Sequence, residues 1–264
     1  MKRILIAVSL LLISAQSGAW GQHSHHVVCD IAWRNLETNA KQEVRRLLAD
    51  ARQKTFAQAC DWADEIKSLS RYDDAKPHHY MNVDRSATSV TMTEACLKEG
   101  CVLSAIEAYT QILKGEEVDG YTNNRSKALL FLGHFVGDIH QPLHVAYEDD
   151  RGGTQLPLSY AGKEYSLHYV WDTIIPEIGM SKNWRAAGEQ LDKQITPEER
   201  EQWRQGGSIS WANESLMLTR RIYTEIPNNG IVSKAYFNQY YLIAEQRMQQ
   251  AGIRLAALLN EIYR

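Results

Sequence analysis

Apolar residues recur along much of this chain at a spacing near 3.6, the period of an amphipathic helix. Between His25 and Ala51 they fall at Val27, Val28, Ile31, Leu36, Val44, Leu47 and Leu48, which predicts helix through that stretch. Ser104 to Leu113 predicts a short helix, and Arg125 to about Ile139 a strongly apolar one. Pro142 bends or ends that helix, because proline has no N–H to continue the ladder. Thr196-Pro197-Glu198-Glu199 combines a cap, a first-turn proline and a capping-box glutamate, the start of another helix. Ser208 to Ile226 and Ser233 to Tyr263 predict two long closing helices. β-type alternation is scarce, and Thr154 to Ser166, with Gly152-Gly153 before it, is the best hairpin-like loop. The expected fold class is all-α. No repeat, low-complexity tract or linker-like run divides residues 20–264, so a single domain is expected there.

Residues 1–19 follow a different pattern. Lys2 and Arg3 precede the apolar run Ile4 to Ile13, and small residues lead to Ser17-Gly18-Ala19, the order of a secretory signal peptide. The run is too short to anchor a bilayer. Cleavage after Ala19 leaves Trp20 as the new N-terminus. It also removes Lys2 and Arg3, taking the formal charge from −3 to −5. No other segment is apolar enough to span a membrane, so a soluble, secreted or periplasmic protein is expected; a monomer is expected as well. Cys29, Cys60, Cys96 and Cys101 are an even number in an oxidising destination, which favours two disulfides. Three pairings are open. Cys96 and Cys101 enclose a short Leu-Lys-Glu-Gly turn compatible with a local loop, which would leave Cys29 with Cys60.

The chemistry concentrates in His134-Phe-Val-Gly-Asp138-Ile-His140-Gln-Pro-Leu-His144 and in His168-Tyr-Val-Trp-Asp172. In each, a His and an Asp stand four residues apart, on one face of an α-helix. An imidazole nitrogen and a carboxylate oxygen converging from one face suit a divalent metal, zinc above all. The plain alternative is a surface ion pair. Phe131, Leu132, Phe135 and Val136 argue against it, because they make the surrounding helix apolar and a buried His–Asp pair needs a partner. All nine histidines lie between His23 and His168, consistent with a site built by the first two thirds of the chain. Asp64, in Trp62-Ala63-Asp64-Glu65, is a further carboxylate. His140 lies off the His134/Asp138 face and reads as a packing residue. Spacing does not rank His25 over His23 and His26, nor His79 over His78.

Taken in order, the landmarks resemble the secreted, trinuclear-zinc, single-strand-specific nucleases and 3′-nucleotidases. They are Trp20-Gly21 with His25, Trp62-Ala63-Asp64-Glu65, His79-Tyr80, His134 to Asp138, Gln141-Pro-Leu-His144, Gly152-Gly153 and His168 to Asp172. The resemblance implies three zinc ions in a cleft of an all-α fold shared with zinc phospholipase C. Asp64, His79, His134 and Asp138 would hold one zinc, and His144, His168 and Asp172 a second. The third would take the α-amino nitrogen and carbonyl oxygen of Trp20, with His25 and a bridging Asp138. The resemblance also supports the pairs Cys29–Cys60 and Cys96–Cys101.

The implied substrates are single-stranded DNA and RNA and 3′-nucleotides, cleaved to 5′-phosphorylated products. Two zincs bridged by Asp138 would lower the pKa of a shared water for in-line attack on the phosphodiester, with Asp64 orienting it. Lys67 would steady charge on the phosphoryl oxygens, and Tyr80 would lie against a base. Asn82 stands where the family places an acidic base-pocket residue, and Thr154 where Asn is common. Both departures bear on base preference rather than on catalysis. Three zincs against three carboxylates leave about +3 locally, whereas a chain of net −5 has no broad basic footprint for duplexes. Two other readings stand beside this one. A zinc phospholipase C would have a longer gap from Trp to its partner His and Glu in place of Asp172, and a non-catalytic zinc-binding protein would have flexible His-rich tracts.

Overall fold

The structure, a computed structural model, describes residues 20–264; the leader expected at 1–19 lies outside the described residues. The chain is helical as expected. It runs through α1 (Gln22–Asn35), α2 (Thr38–Asp50), α3 (Phe56–Ala59), α4 (Trp62–Glu65), α5 (Glu94–Glu99), α6 (Val102–Lys114) and α7 (Arg125–Asp138). Short helices α8 (Leu167–Tyr169) and α9 (Ile175–Glu177) flank a π-helical turn at Val170–Ile174. The fold closes with α10 (Trp184–Gln194), α11 (Pro197–Trp203), α12 (Ser208–Glu225) and α13 (Lys234–Ile262). No helix among the described residues is long and apolar enough to cross a membrane.

The stretch His25 to Ala51 is two helices rather than one. Leu36 and Glu37 turn extended, and α13 holds the break: Asn260 donates Nδ2 to the Asn35 carbonyl (3.1 Å) and accepts the Glu37 N–H (2.8 Å). One amide thus satisfies both helix ends, a contact that no local pattern encodes. The predicted cap on α11 forms in full, with Thr196 and Glu199 exchanging side-chain-to-backbone bonds. The hairpin-like loop becomes β3 (Pro157–Tyr160) antiparallel to β4 (Lys163–Ser166).

The sequence pattern did not announce a second pair, β1 (Met81–Val83) parallel to β2 (Val145–Tyr147). Met81 aligns with Val145, so the residues just before them, His79-Tyr80 and His144, come together. His144 Nδ1 donates to the His79 carbonyl at 2.7 Å.

Two apolar clusters fill the interior. One joins α2, α6, α7 and the end of α13; the other joins Trp20, Trp171, α10 and the first half of α13. Helix α1 faces both, with Cys29 and Ala32 on one side and Val27, Val28 and Ile31 on the other. Its approach to α7 depends on glycine. A Cβ at Gly133 would stand 2.5 Å from Cys60 Sγ, and one at Gly137 would stand 2.8 Å from His25 Nδ1. Both expected disulfides form, Cys29–Cys60 and Cys96–Cys101. The first ties α1 to the segment leading into α4.

Alanine is the better helix former by about 1 kcal/mol, yet Gly133→Ala is expected to destabilise the protein by about 1–3 kcal/mol through overpacking. Urea unfolding of the two proteins measures the difference. A gain in stability would show that the α1–α7 contact can relax.

Candidate metal centre

Every side chain singled out as a candidate ligand faces one buried region between the two apolar clusters. His25 sits on the first turn of α1, Asp64 on α4, and His79 at the end of a 3-10 segment, Ser70–His79. His134 and Asp138 project from α7. His144 ends the short 3-10 turn Pro142–His144, and His168 and Asp172 follow on α8 and its π turn. His25, His134 and Asp138 have no exposed surface, and His79, His144, His168 and Asp172 are nearly as buried.

The first group is compact, with Asp64 set slightly back from the other three side chains. His79 Nδ1 lies 3.0 Å from Asp138 Oδ2 and 3.1 Å from His134 Nε2; His134 Nε2 lies 3.2 Å from Asp138 Oδ2. Asp64 Oδ1 stands 3.7 Å from His79 Nδ1 and 3.8 Å from His134 Nε2. Ligands about 2.0–2.1 Å from a tetrahedral zinc are roughly 3.3–3.5 Å apart, so these atoms surround a volume of that size. In the second group, Asp172 lies 3.1 Å from His168 Nε2 and 3.8 Å from His144 Nε2. For the third, His25 Nε2 lies 3.4 Å from Asp138 Oδ1, and the His25 ring stacks on His134. Asp138 thus turns one oxygen to each of two groups.

The donor atoms fit a metal by a second criterion. His25 Nε2, Asp138 Oδ1, His144 Nε2 and Asp172 Oδ2 are buried without a hydrogen-bond partner, an arrangement that costs stability unless a cation completes it. The opposite nitrogens of three rings are tied to backbone carbonyls: His134 Nδ1 to Cys60 (2.7 Å), His144 Nδ1 to His79 (2.7 Å) and His168 Nδ1 to Gly152 (2.8 Å). A ring that donates Nδ1–H presents the Nε2 lone pair to the centre.

The charges respond to one another. Burial works to neutralise His134, but the Asp138 and Asp64 carboxylates overcome it and raise the ring to about 9. Burial pushes His79 down to about 3 despite its bond to Asp138. Asp138 is held well below the carboxylate range: burial opposes this, and the rings of His134 and His144 outweigh it. The buried carboxylates demand positive charge, which a divalent cation supplies while releasing the proton on His134.

The second His–Asp pair does not lie on a regular α-helix. Residues 170–174 form a π turn, a widening that often marks functional sites. Gly152-Gly153 matters because both have positive φ, +63° and +83°, and a Cβ on Gly152 would stand 2.6 Å from the Leu143 carbonyl.

Several supporting residues escaped the sequence reading. Gln141 is wholly buried, donates Nε2 to Asp172 Oδ1 (2.5 Å) and accepts the Leu143 N–H (2.5 Å), which fixes the carboxylate's orientation. It stood in the landmark Gln141-Pro-Leu-His144, but nothing local assigned it a role. Ser215 donates to the Ile139 carbonyl, Thr219 to those of Pro142 and Val145, and Arg247 to that of His140. These bonds hold the bend between Asp138 and His144. His140 is a structural tie, donating Nδ1–H to Val136 and accepting from Arg254 at Nε2. Among the residues expected to meet substrate, Lys67 is part-buried with Nζ 3.5 Å from Asp64 Oδ1. Tyr80 and Asn82 are exposed.

A helical domain converging His and Asp side chains on one buried centre, in three groups able to hold metal ions (His25-Asp64-His134, His79-His134-Asp138 and His144-His168-Asp172), is the architecture of a metal-dependent hydrolase. The chain belongs to the S1/P1 nuclease family, whose sequence profile matches residues 20–264, and is a nuclease of this zinc-dependent family. It is 31% identical to Endonuclease 2 of Arabidopsis thaliana, over 98% of this chain and 96% of that protein. Identity to Nuclease S1 of Aspergillus oryzae is 26%, over 99% and 98%. Identity to Nuclease P1 of Penicillium citrinum is 25%, over 92% and 98%.

Behind the centre, Glu214 accepts from both Arg247 and Arg254 (2.6 Å each). Burial raises its pKa, but the bonds and charges of the two arginines outweigh it and the net shift is down from 4.5. The folded state therefore holds Glu214 ionised more readily than the unfolded chain does. Its stabilisation is present above pH 4.5 and is lost as pH falls through the lowered value. Glu214→Gln is expected to lower the melting temperature at neutral pH and to flatten its decline below 4.5, which thermal unfolding across pH measures.

Proposed function

We propose that this chain is an exported nuclease that binds three zinc ions, cleaves single-stranded DNA and RNA to 5′-phosphorylated products, and removes phosphate from 3′-nucleotides. In this reading, residues 1–19 are the leader and residues 20–264 form one catalytic domain. Asp64, His79, His134 and Asp138 hold one zinc. His144, His168 and Asp172 hold the second. The amino nitrogen and carbonyl oxygen of Trp20, His25 and Asp138 hold the third. The observation that carries the reading is the set of buried, unpartnered ligand atoms: His25 Nε2, Asp138 Oδ1, His144 Nε2 and Asp172 Oδ2.

Bound zinc supplies Lewis acidity, which acidifies water and offsets charge on a phosphoryl oxygen. The protein's own groups do the rest. Asp64 is the least enclosed of the carboxylates, with about a fifth of its side chain exposed (18%), and is placed to accept a proton from the attacking water. Lys67 stands beside it, part-exposed with its ammonium 3.5 Å from Asp64 Oδ1, and is suited to phosphoryl oxygens. Tyr80 and Asn82 lie two residues apart in an extended segment and are both exposed, so they share a face on which a base can stack and hydrogen-bond. A flexible single strand can bring a phosphate into such a recess, whereas a duplex meets no broad basic surface.

Purified protein beginning at Trp20 is to be incubated with single-stranded DNA, a 3′-nucleotide and phosphatidylcholine, with and without chelator. Hydrolysis of the first two, abolished by chelator, is expected; cleavage of the lipid alone would replace this reading with a phospholipase C. A protein carrying one extra residue before Trp20 is expected to lose one zinc and most activity. Metal analysis showing three ions and full turnover in that protein would remove the Trp20 amine from the ligand set.

A further inference from the structure

Trp20 and Gly21 are gripped between two of the segments that carry carboxylates of the centre, those of Asp138 and Asp172. On one side Trp20 Nε1 donates to the Gly137 carbonyl at 2.9 Å, the residue before Asp138. On the other, the Gly21 N–H donates to the Asp172 carbonyl at 2.8 Å. Trp20 itself is wholly buried. A carbonyl within an α-helix ordinarily receives the N–H four residues on. For Asp172 that residue is Pro176, which has no N–H and whose ring crowds the same carbonyl. The helix widens at this point into the π turn Val170–Ile174, with the Ile175 N–H returning to Val170. Gly21 fits closely, since a Cβ there would stand 3.3 Å from the Asp172 oxygen.

We propose that Pro176 is a positioning residue for the mature N-terminus. By denying Asp172 its α-helical partner, it reserves that carbonyl for Gly21. Asp172 then works at both ends: its carboxylate faces the His144–His168 group, and its main chain seats Trp20 beside His25 and Asp138. This rests on the ligand reading proposed above, in which the freed Trp20 amine meets zinc. Restoring an N–H at position 176 gives Asp172 a competing donor, lets the turn relax toward α geometry and loosens Trp20 first.

The test uses the mature protein, wild type and Pro176→Ala, and two readouts other than activity. The first is zinc retained after dialysis against a weak chelator. The second is the rate at which an amine-acylating reagent labels Trp20, followed by mass spectrometry of the N-terminal peptide with and without zinc. Pro176→Ala is expected to retain two zincs where wild type retains three, and to be labelled about tenfold faster in the presence of zinc, a typical size for loss of an outer-shell support. Gly21→Ala is expected to shift both readouts in the same direction without altering the helix. It serves as the test if Pro176→Ala does not fold. Wild-type retention and protection in a folded Pro176→Ala, or in Gly21→Ala where that variant fails, would overturn the proposal. So would a parallel weakening of all three zincs, the mark of a merely structural proline. If zinc does not protect the Trp20 amine in wild type, the ligand reading itself fails, and this proposal with it.

Discussion

Asp138 is a carboxylate with no exposed surface, and around it stand the rings of His25, His79, His134 and His144, each within 3.0–3.5 Å of one of its oxygens. A charge so far from water is tolerable only if positive charge meets it. His134 shows the demand most plainly, since it is driven to hold a proton although it is as buried as the carboxylate. Much of the domain is arranged to bring cation-binding atoms to this one place. Helix α7 supplies Asp138 and His134 on one face, and on the neighbouring face Gly133 and Gly137 let α1 approach closely enough to deliver His25.

Rigidity comes from the backs of the rings. His134 leans on the Cys60 carbonyl, His144 on that of His79, and His168 on that of Gly152, so each ring's orientation is set by an element other than its own. The covalent frame enters here, because Cys60 is also bonded to Cys29 of α1. The closing helices enter too: α12 and α13 hold the bend from Ile139 to Val145 through Ser215, Thr219 and Arg247. A family that acts on phosphodiesters through bound zinc needs this kind of scaffold, since small errors in ligand position weaken the metal or misplace the reacting groups. The residues proposed to meet substrate are of another kind. Lys67, Tyr80 and Asn82 are partly or fully exposed, as groups that meet a ligand at the surface must be.

The sequence by itself determined the helical class, the approximate spans of the long helices, the capping box of Thr196 and Glu199, and the two His–Asp pairs. Those features are local: period, capping chemistry and i,i+4 spacing act within a few residues. It also left His25 and His79 unranked against their neighbours until a whole ordered set of landmarks was compared. Only the tertiary structure decided the break at Leu36–Glu37, because the donor and acceptor that satisfy it belong to Asn260 on the last helix. Only it brought His79 beside His144, through a parallel strand pair of three residues each whose partners are more than sixty positions apart. Gln141 and the π turn at Val170–Ile174 belong to the same class. An amide's partner, and the group that takes a carbonyl a proline leaves open, depend on what lies opposite, and long-range packing settles that.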